Sequence, residues 1–145
     1  VSAWDMPRSE PDIDHPADGQ PVLVVDAANV VGSVPDGWWR DRRGATERLR
    51  DRLAAVADSG VAGFEGPVNI VLVVEGRARG IASTASVTVV DADGSGDDAI
   101  VDVVARTDTS QLAVVTADRE LRRRVTALGA VTLGPSVITR QNPHV

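Results

Sequence analysis

Four short apolar runs in this 145-residue chain each end at or just before an acid. Pro21-Val22-Leu23-Val24-Val25 stops on Asp26, with Asn29 three residues further on. Ile70-Val71-Leu72-Val73-Val74 meets Glu75, Val87-Thr88-Val89-Val90 meets Asp91, and Leu112-Ala113-Val114-Val115-Thr116 leads to Asp118. Near-continuous aliphatic runs of this kind read as strands buried on both faces, the habit of parallel sheets. In an open α/β sheet, ligands bind outside the carboxyl ends of the strands. If these strands lie parallel, their carboxylates gather on one rim. Such a rim suits hard divalent cations, and with them phosphate chemistry.

The length predicts one domain with a real core. The apolar fraction of 43% is mostly Val, Ala and Leu, with three Trp, one Phe and no Tyr. Cysteine is absent, which excludes disulfides, thiolate zinc sites and a cysteine nucleophile. No apolar run approaches membrane-spanning length, and the start lacks a basic-then-apolar signal pattern. A soluble cytoplasmic protein with no membrane partner is the expectation. The net charge of −6 and pI near 4.8 argue against a general nucleic-acid coat. Every cationic side chain is Arg, however, and several cluster: Arg40, Arg42 and Arg43; Arg77 and Arg79; Arg119, Arg122, Arg123 and Arg124. Arg suits bidentate phosphate contacts, although compositional bias of the genome accounts for it equally well.

Residues 1–20 carry breakers and acids without periodicity and read as a tail or arm. A domain is expected over residues 21–134, followed by a C-terminal tail over 135–145. After the first strand, Val30 to Arg40 reads as a loop with a Pro35-Asp36-Gly37 turn. Ala45, Leu49, Leu53 and Val56 then mark a helix within Asp41 to Asp58, with Gly60 as its stop. Strands are expected at Val68 to Val74, at Val87 to Val90, at Leu112 to Thr116 and at Val131 to Leu133. Helices are expected from near Asp97 and from Asp118 to Leu128. This alternation predicts a single doubly wound, mostly parallel five-stranded sheet. Its weak link is Gly76 to Ser86, barely long enough for a parallel crossover.

Asp26 is the leading candidate for chemistry. Asp97 precedes Ile100, Val101 and Val104 at spacings of three, four and seven, so it lies on the inward stripe of its helix. Asp98 shares a face with Asp102, which can pair with Arg106 at i+4, and reads as an accessory or solvated acid. Asp118 is a natural helix N-cap, a placement that also aims a carboxylate at the rim. Thr116, two residues earlier, is placed to hold a ligand or a water. Glu75 has the position of a fourth acid, with Arg77 and Arg79 close enough in sequence to neutralise it. His15 and His144 have no partner at metal-ligand spacing.

Three ordered elements carry a family resemblance: Val24-Val25-Asp26-Ala27-Ala28-Asn29-Val30, Gly96-Asp97-Asp98-Ala99-Ile100, and Val114-Val115-Thr116-Ala117-Asp118. Over residues 21–134 the chain resembles the PIN-like superfamily of metal-dependent ribonucleases, specifically its NYN branch. The resemblance implies a PIN-like sheet with Mg²⁺ or Mn²⁺ at the rim. It carries metal ligation onto Asp26, Asp97 and Asp118 and a substrate-orienting role onto Asn29. The second-strand acid of such chains is commonly Asp, where this one has Glu75, and the residue pattern adds Asp98 as an accessory candidate for the metal. It also implies hydrolysis of RNA or single-stranded nucleic acid. Thr116, Arg119, Arg77, Arg79, Arg40 and Trp38 are the candidates for substrate contact. Trp38 is expected to stack on a base, and Trp39 to pack on the domain or under the N-terminal arm. A homodimer or a regulatory protein partner stays open.

Other readings compete. Glu75 followed by Asp91-Ala92-Asp93 mimics the acidic pattern of Toprim-like folds, but leaves Asp26, Asn29 and Asp118 as coincidences. A haloacid-dehalogenase reading fails because Ala28 stands where a second Asp is needed and Lys is absent; a receiver-like fold lacks the same lysine. A nucleotide phosphohydrolase built on helical Glu-x-x-Glu pairs finds no support. A non-catalytic RNA- or partner-binding module remains the rival from a different class, with the acids serving as caps and turns.

Overall fold

The computed structural model describes residues 20–34, 37–61 and 63–139. All of the expected N-terminal arm except Gln20 lies outside these residues, as do Pro35, Asp36 and both histidines. In chain order the elements are β1 (Val22–Asp26), α1 (Ala27–Gly32), a 3-10 turn (Trp38–Arg40), α2 (Arg42–Ser59), β2 (Gly60–Val61) and β3 (Phe64–Glu65). Then come β4 (Asn69–Val74), a second 3-10 turn (Gly76–Ala78), β5 (Val87–Asp91), α3 (Gly96–Arg106), β6 (Leu112–Val115), α4 (Arg119–Ala127), β7 (Val131–Leu133) and α5 (Ser136–Thr139).

The main sheet has the order β5-β4-β1-β6-β7, and every pairing in it is parallel. Residues alternate between the two faces with the period of a strand. Leu23 and Val25 of β1 join Leu72 and Val74 of β4 on one face, under α1, α2 and Ile138 of α5. Val22 and Val24 join Val71 and Val73 on the other, under α3 and α4. Both faces are covered, which explains why the strands read as unbroken apolar runs. Leu53 of α2 and Leu121 of α4 are fully buried. Each such side chain contributes about 1.5–3 kcal/mol on burial.

The chain steps from β1 to β4 to β5 with its connections on the α2 face. It then reverses direction across the sheet and runs through α3 and α4 on the opposite face. Right-handed crossovers demand this swap. As a result β1 and β6 are neighbours whose outgoing helices leave to opposite faces, and a crevice opens between their carboxyl ends.

Several expectations need correction. The loop expected over Val30 to Arg40 begins inside α1, a six-residue helix capped by Asp26 and too short to register as a period. The weak link between β4 and β5 is a parallel crossover after all. It needs no full helix, because the 3-10 turn buries Ala78 and the following loop buries Ile81 against the α2 layer. The β2–β3 hairpin was not foreseen, its strands having two residues each. Residues beyond 134 do not all form a tail: α5 seats Ile138 in the core with no exposed surface. Gly60 ends α2 as expected, at φ +84°, where a Cβ would stand 2.1 Å from the Phe64 carbonyl oxygen.

Candidate active site at the carboxyl rim

Asp26 ends β1 and is only 6% exposed. Its Oδ1 accepts the Asn29 backbone N–H at 3.3 Å, which caps α1. Its Oδ2 accepts the Thr116 hydroxyl at 2.9 Å. Thr116, fully buried, accepts the Asp118 N–H on the same oxygen at 3.1 Å. Its single proton is therefore committed to Asp26. Asn29 reaches across the crevice, its side-chain oxygen accepting the Ala117 N–H at 2.8 Å. That contact fixes the amide's orientation and leaves its two N–H donors for other work.

The remaining acids stand at adjoining helix starts. Asp118 caps α4 through the Leu121 N–H at 2.8 Å. Glu75, just past β4, accepts the Gly96 N–H at 2.8 Å and so sits on the N-terminus of α3. Gly96 allows this close approach: a Cβ there would lie 2.2 Å from the Glu75 Oε1, the end of a flexible side chain. Asp97 is half-buried in the first turn of α3, where Ser95 provides the cap. Asp98 points outward and pairs with Arg124 of α4 at 3.0 Å, so its carboxylate is engaged away from the rim.

The electrostatics bind these acids into one group. Burial pushes the Asp26 carboxyl up to about 6, against the hydrogen bonds from Thr116 and Asn29 that favour its charged form, with Asp97 and Glu75 raising it further. Asp97 is also raised, first by burial and then by the charges of Asp118, Glu75 and Asp98, with Arg124 opposing. Repulsion between clustered acids is thus present, but burial comes first. The donor set consists of carboxylates, two of which, Asp26 and Asp97, have their charge disfavoured by the surroundings, and that chemistry fits a hard divalent cation. Among the described residues, no three acids already stand close enough together to hold one.

The candidates for substrate contact divide. Arg77 and Arg119 are exposed, in the turn after β4 and the first turn of α4. Arg79 instead staples loops: its guanidinium donates to the Ala92 carbonyl at 3.3 Å, and its own carbonyl accepts from Arg43. Thr116 is buried behind Asp26 and positions it. The tryptophans invert the expected exposure: Trp38 is half-buried against the core, whereas Trp39 is 56% exposed. Three residues named only as parts of a cluster or motif in the sequence take individual places here. Arg122 donates its Nε–H to the Thr116 carbonyl at 2.8 Å, Arg124 sits beside Asp97, and Gly96 admits Glu75. The i+4 spacing of Arg122 from Asp118 was a usable signal; the other two depend on tertiary packing.

Together these features define a class: a doubly wound α/β domain with five parallel strands and an acidic crevice at its switch point. Two solved structures share the fold. One is the crystal structure of Rae1 (YacP) from Bacillus subtilis, with a TM-score of 0.70 and 16% identity over 84% of this chain and 73% of that one. The other is its W164L mutant, with a TM-score of 0.67 and 17% identity over 84% and 74%. At such identity the likeness concerns the fold. No family model matches the chain, and no curated protein matches it. No helix among the described residues is long and apolar enough to cross a membrane.

Proposed function

We propose that this chain is a PIN-like, NYN-type nuclease that hydrolyses phosphodiester bonds in RNA or single-stranded nucleic acid, using Mg²⁺ or Mn²⁺ held by Asp26, Asp97 and Asp118. The observation that carries this reading is that Asp26 and Asp97 are both raised, first by burial and then by neighbouring acids (Asp97 and Glu75 on Asp26, Asp118 and Glu75 on Asp97), at the switch point of the sheet. The fold shared with Rae1 supports it. A bound divalent cation would supply a more acidic water and charge to stabilise the leaving oxygen. The protein's part is to hold the acids in register. Thr116 fixes one oxygen of Asp26, and Asn29 presents its N–H donors beside the crevice. Without a cation the carboxylates repel phosphate, which reconciles an acidic rim with an anionic substrate.

The test is RNA cleavage by purified wild type and Asp97→Asn, with Mn²⁺ and with EDTA. Loss of a ligand removes several kcal/mol of transition-state stabilisation, so the variant should lose about 10²-fold or more in rate while keeping its fold. Equal, EDTA-insensitive cleavage by both proteins would sink the proposal.

A second reading has its own observation. Asp26, Glu75 and Asp118 each accept a backbone N–H at a helix start, and caps alone would account for them. On that reading the chain is a non-catalytic RNA- or partner-binding module. A calorimetric Mn²⁺ titration without any heat of binding would favour it.

A further inference from the structure

We propose that Trp39, with Arg40 beside it, is a stacking platform for a base of single-stranded nucleic acid, outside the acidic rim. The inference takes its choice of ligand partly from the nuclease reading but concerns binding, so the two can fail separately. Trp39 is the most exposed of the large apolar side chains among the described residues, at 56%. It is nonetheless held. Trp38 stands edge-on to it at 6.1 Å and 87°, and is itself packed against the core and against Gly32 at the end of α1. The Arg42 guanidinium lies 5.4 Å from the Trp38 ring, and the Arg40 guanidinium 5.7 Å from that of Trp39. A buttressed indole left facing solvent is pre-organised for a flat partner.

Charge selects the partner. The side chains bracketing the two rings are guanidinium groups rather than apolar ones, and the intervening acid, Asp41, is committed to the Gly44 N–H at 2.9 Å. Among the described residues, the other exposed large apolar side chains are Leu128 and Val131, which belong to the end of α4 and to β7 rather than to this turn. A nucleotide finds a π face for its base and cations for its phosphate. Position fits as well. The Ala57 carbonyl of α2 accepts from Val68 just ahead of β4, whereas Arg43, about four turns earlier, reaches Arg79 beyond the carboxyl end of β4. The N-terminus of α2, and the Trp38–Arg40 turn before it, therefore lie at the same end of the sheet as the acids.

The experiment measures binding of a labelled oligouridylate by fluorescence anisotropy in EDTA, alongside a matched abasic strand. Stacking contributes roughly 1–3 kcal/mol per base. Trp39→Ala should therefore bind oligouridylate about tenfold more weakly, and Trp39→Phe should retain most of the affinity. The abasic strand should bind wild type and Trp39→Ala alike, and the melting temperature should not move. Arg40→Gln should reduce the salt slope by about 0.7. No binding by the wild type, unchanged affinity in Trp39→Ala, or equal loss on both strands overturns the platform. So does a large fall in melting temperature or a change of oligomeric state in Trp39→Ala, either of which would assign the ring to the fold or to a second copy. A wild type that binds through Trp39 yet cleaves nothing supports the platform and overturns only the nuclease reading.

Discussion

Asp26 meets three demands at once: it caps α1, accepts a hydrogen bond from the Thr116 hydroxyl, and carries a charge that burial opposes. The conflict shows as a carboxyl raised from 3.8 to about 6. An acid whose pKa is higher folded than unfolded binds its proton more tightly in the folded state. The stability it lends is therefore full below pH 3.8 and is lost as the pH rises through about 6. For a shift of this size the change is on the order of 3 kcal/mol. Asp26→Asn lacks that titration, so its stability relative to wild type should improve from pH 4 to pH 7 in metal-free urea melts. A constant gap across that range would mean that Asp26 titrates normally. The sequence made Asp26 legible because a carboxylate at the end of an apolar strand is a local signal. It inverted the exposure of the tryptophans because the facing of a 3-10 turn is set by packing on Gly32 and Arg42, which no local pattern encodes.

The elements long enough to express a period were readable, as was the three-residue β7, set off by Gly129 and Gly134; most of the other short ones were not. Ala45, Leu49, Leu53 and Val56 announced α2, and all four are buried. The six residues of α1, the two-residue strands of the hairpin and the four residues of α5 have no period to read. The contact between β4 and α3 was hidden for another reason: it joins Glu75 to a backbone N–H 21 residues away. Gly96→Ala tests that joint. The new methyl would meet the end of a flexible carboxylate, which can move, and Ala favours a helix over Gly by up to about 1 kcal/mol. The melting temperature should hold or rise slightly. Displacing Glu75 from the α3 N-terminus should weaken Mn²⁺ binding by about tenfold, the low end of what supporting contacts contribute to metal affinity. Calorimetry read beside the melting curve separates the two effects, and undiminished affinity would remove Glu75 from the site.

At the scale of the whole molecule, the nuclease reading requires a chain of net charge −6 to bring a polyanion to its own acids. Its cations are distributed to allow this, with Arg40 and Arg42 at the start of α2, Arg77 after β4 and Arg119 at the start of α4. The remaining barrier is the rim, where Asp26 and Asp97 are raised by burial and by the acids around them. A divalent cation would relieve that repulsion in the folded state and find no comparable site in the unfolded chain, so it must stabilise the fold. At a concentration of 100 times Kd the gain is about 2.7 kcal/mol, which for a domain of this size corresponds to roughly 10 °C in Tm. Thermal melts of the wild type with saturating Mn²⁺ should show a rise of that order, reversed by EDTA and absent in Asp97→Asn. The rise should shrink as the pH falls through about 6, because the proton on Asp26 competes with the metal for the same oxygens. An equal rise in Asp97→Asn would place the cation elsewhere, and the rim would then be a set of helix caps.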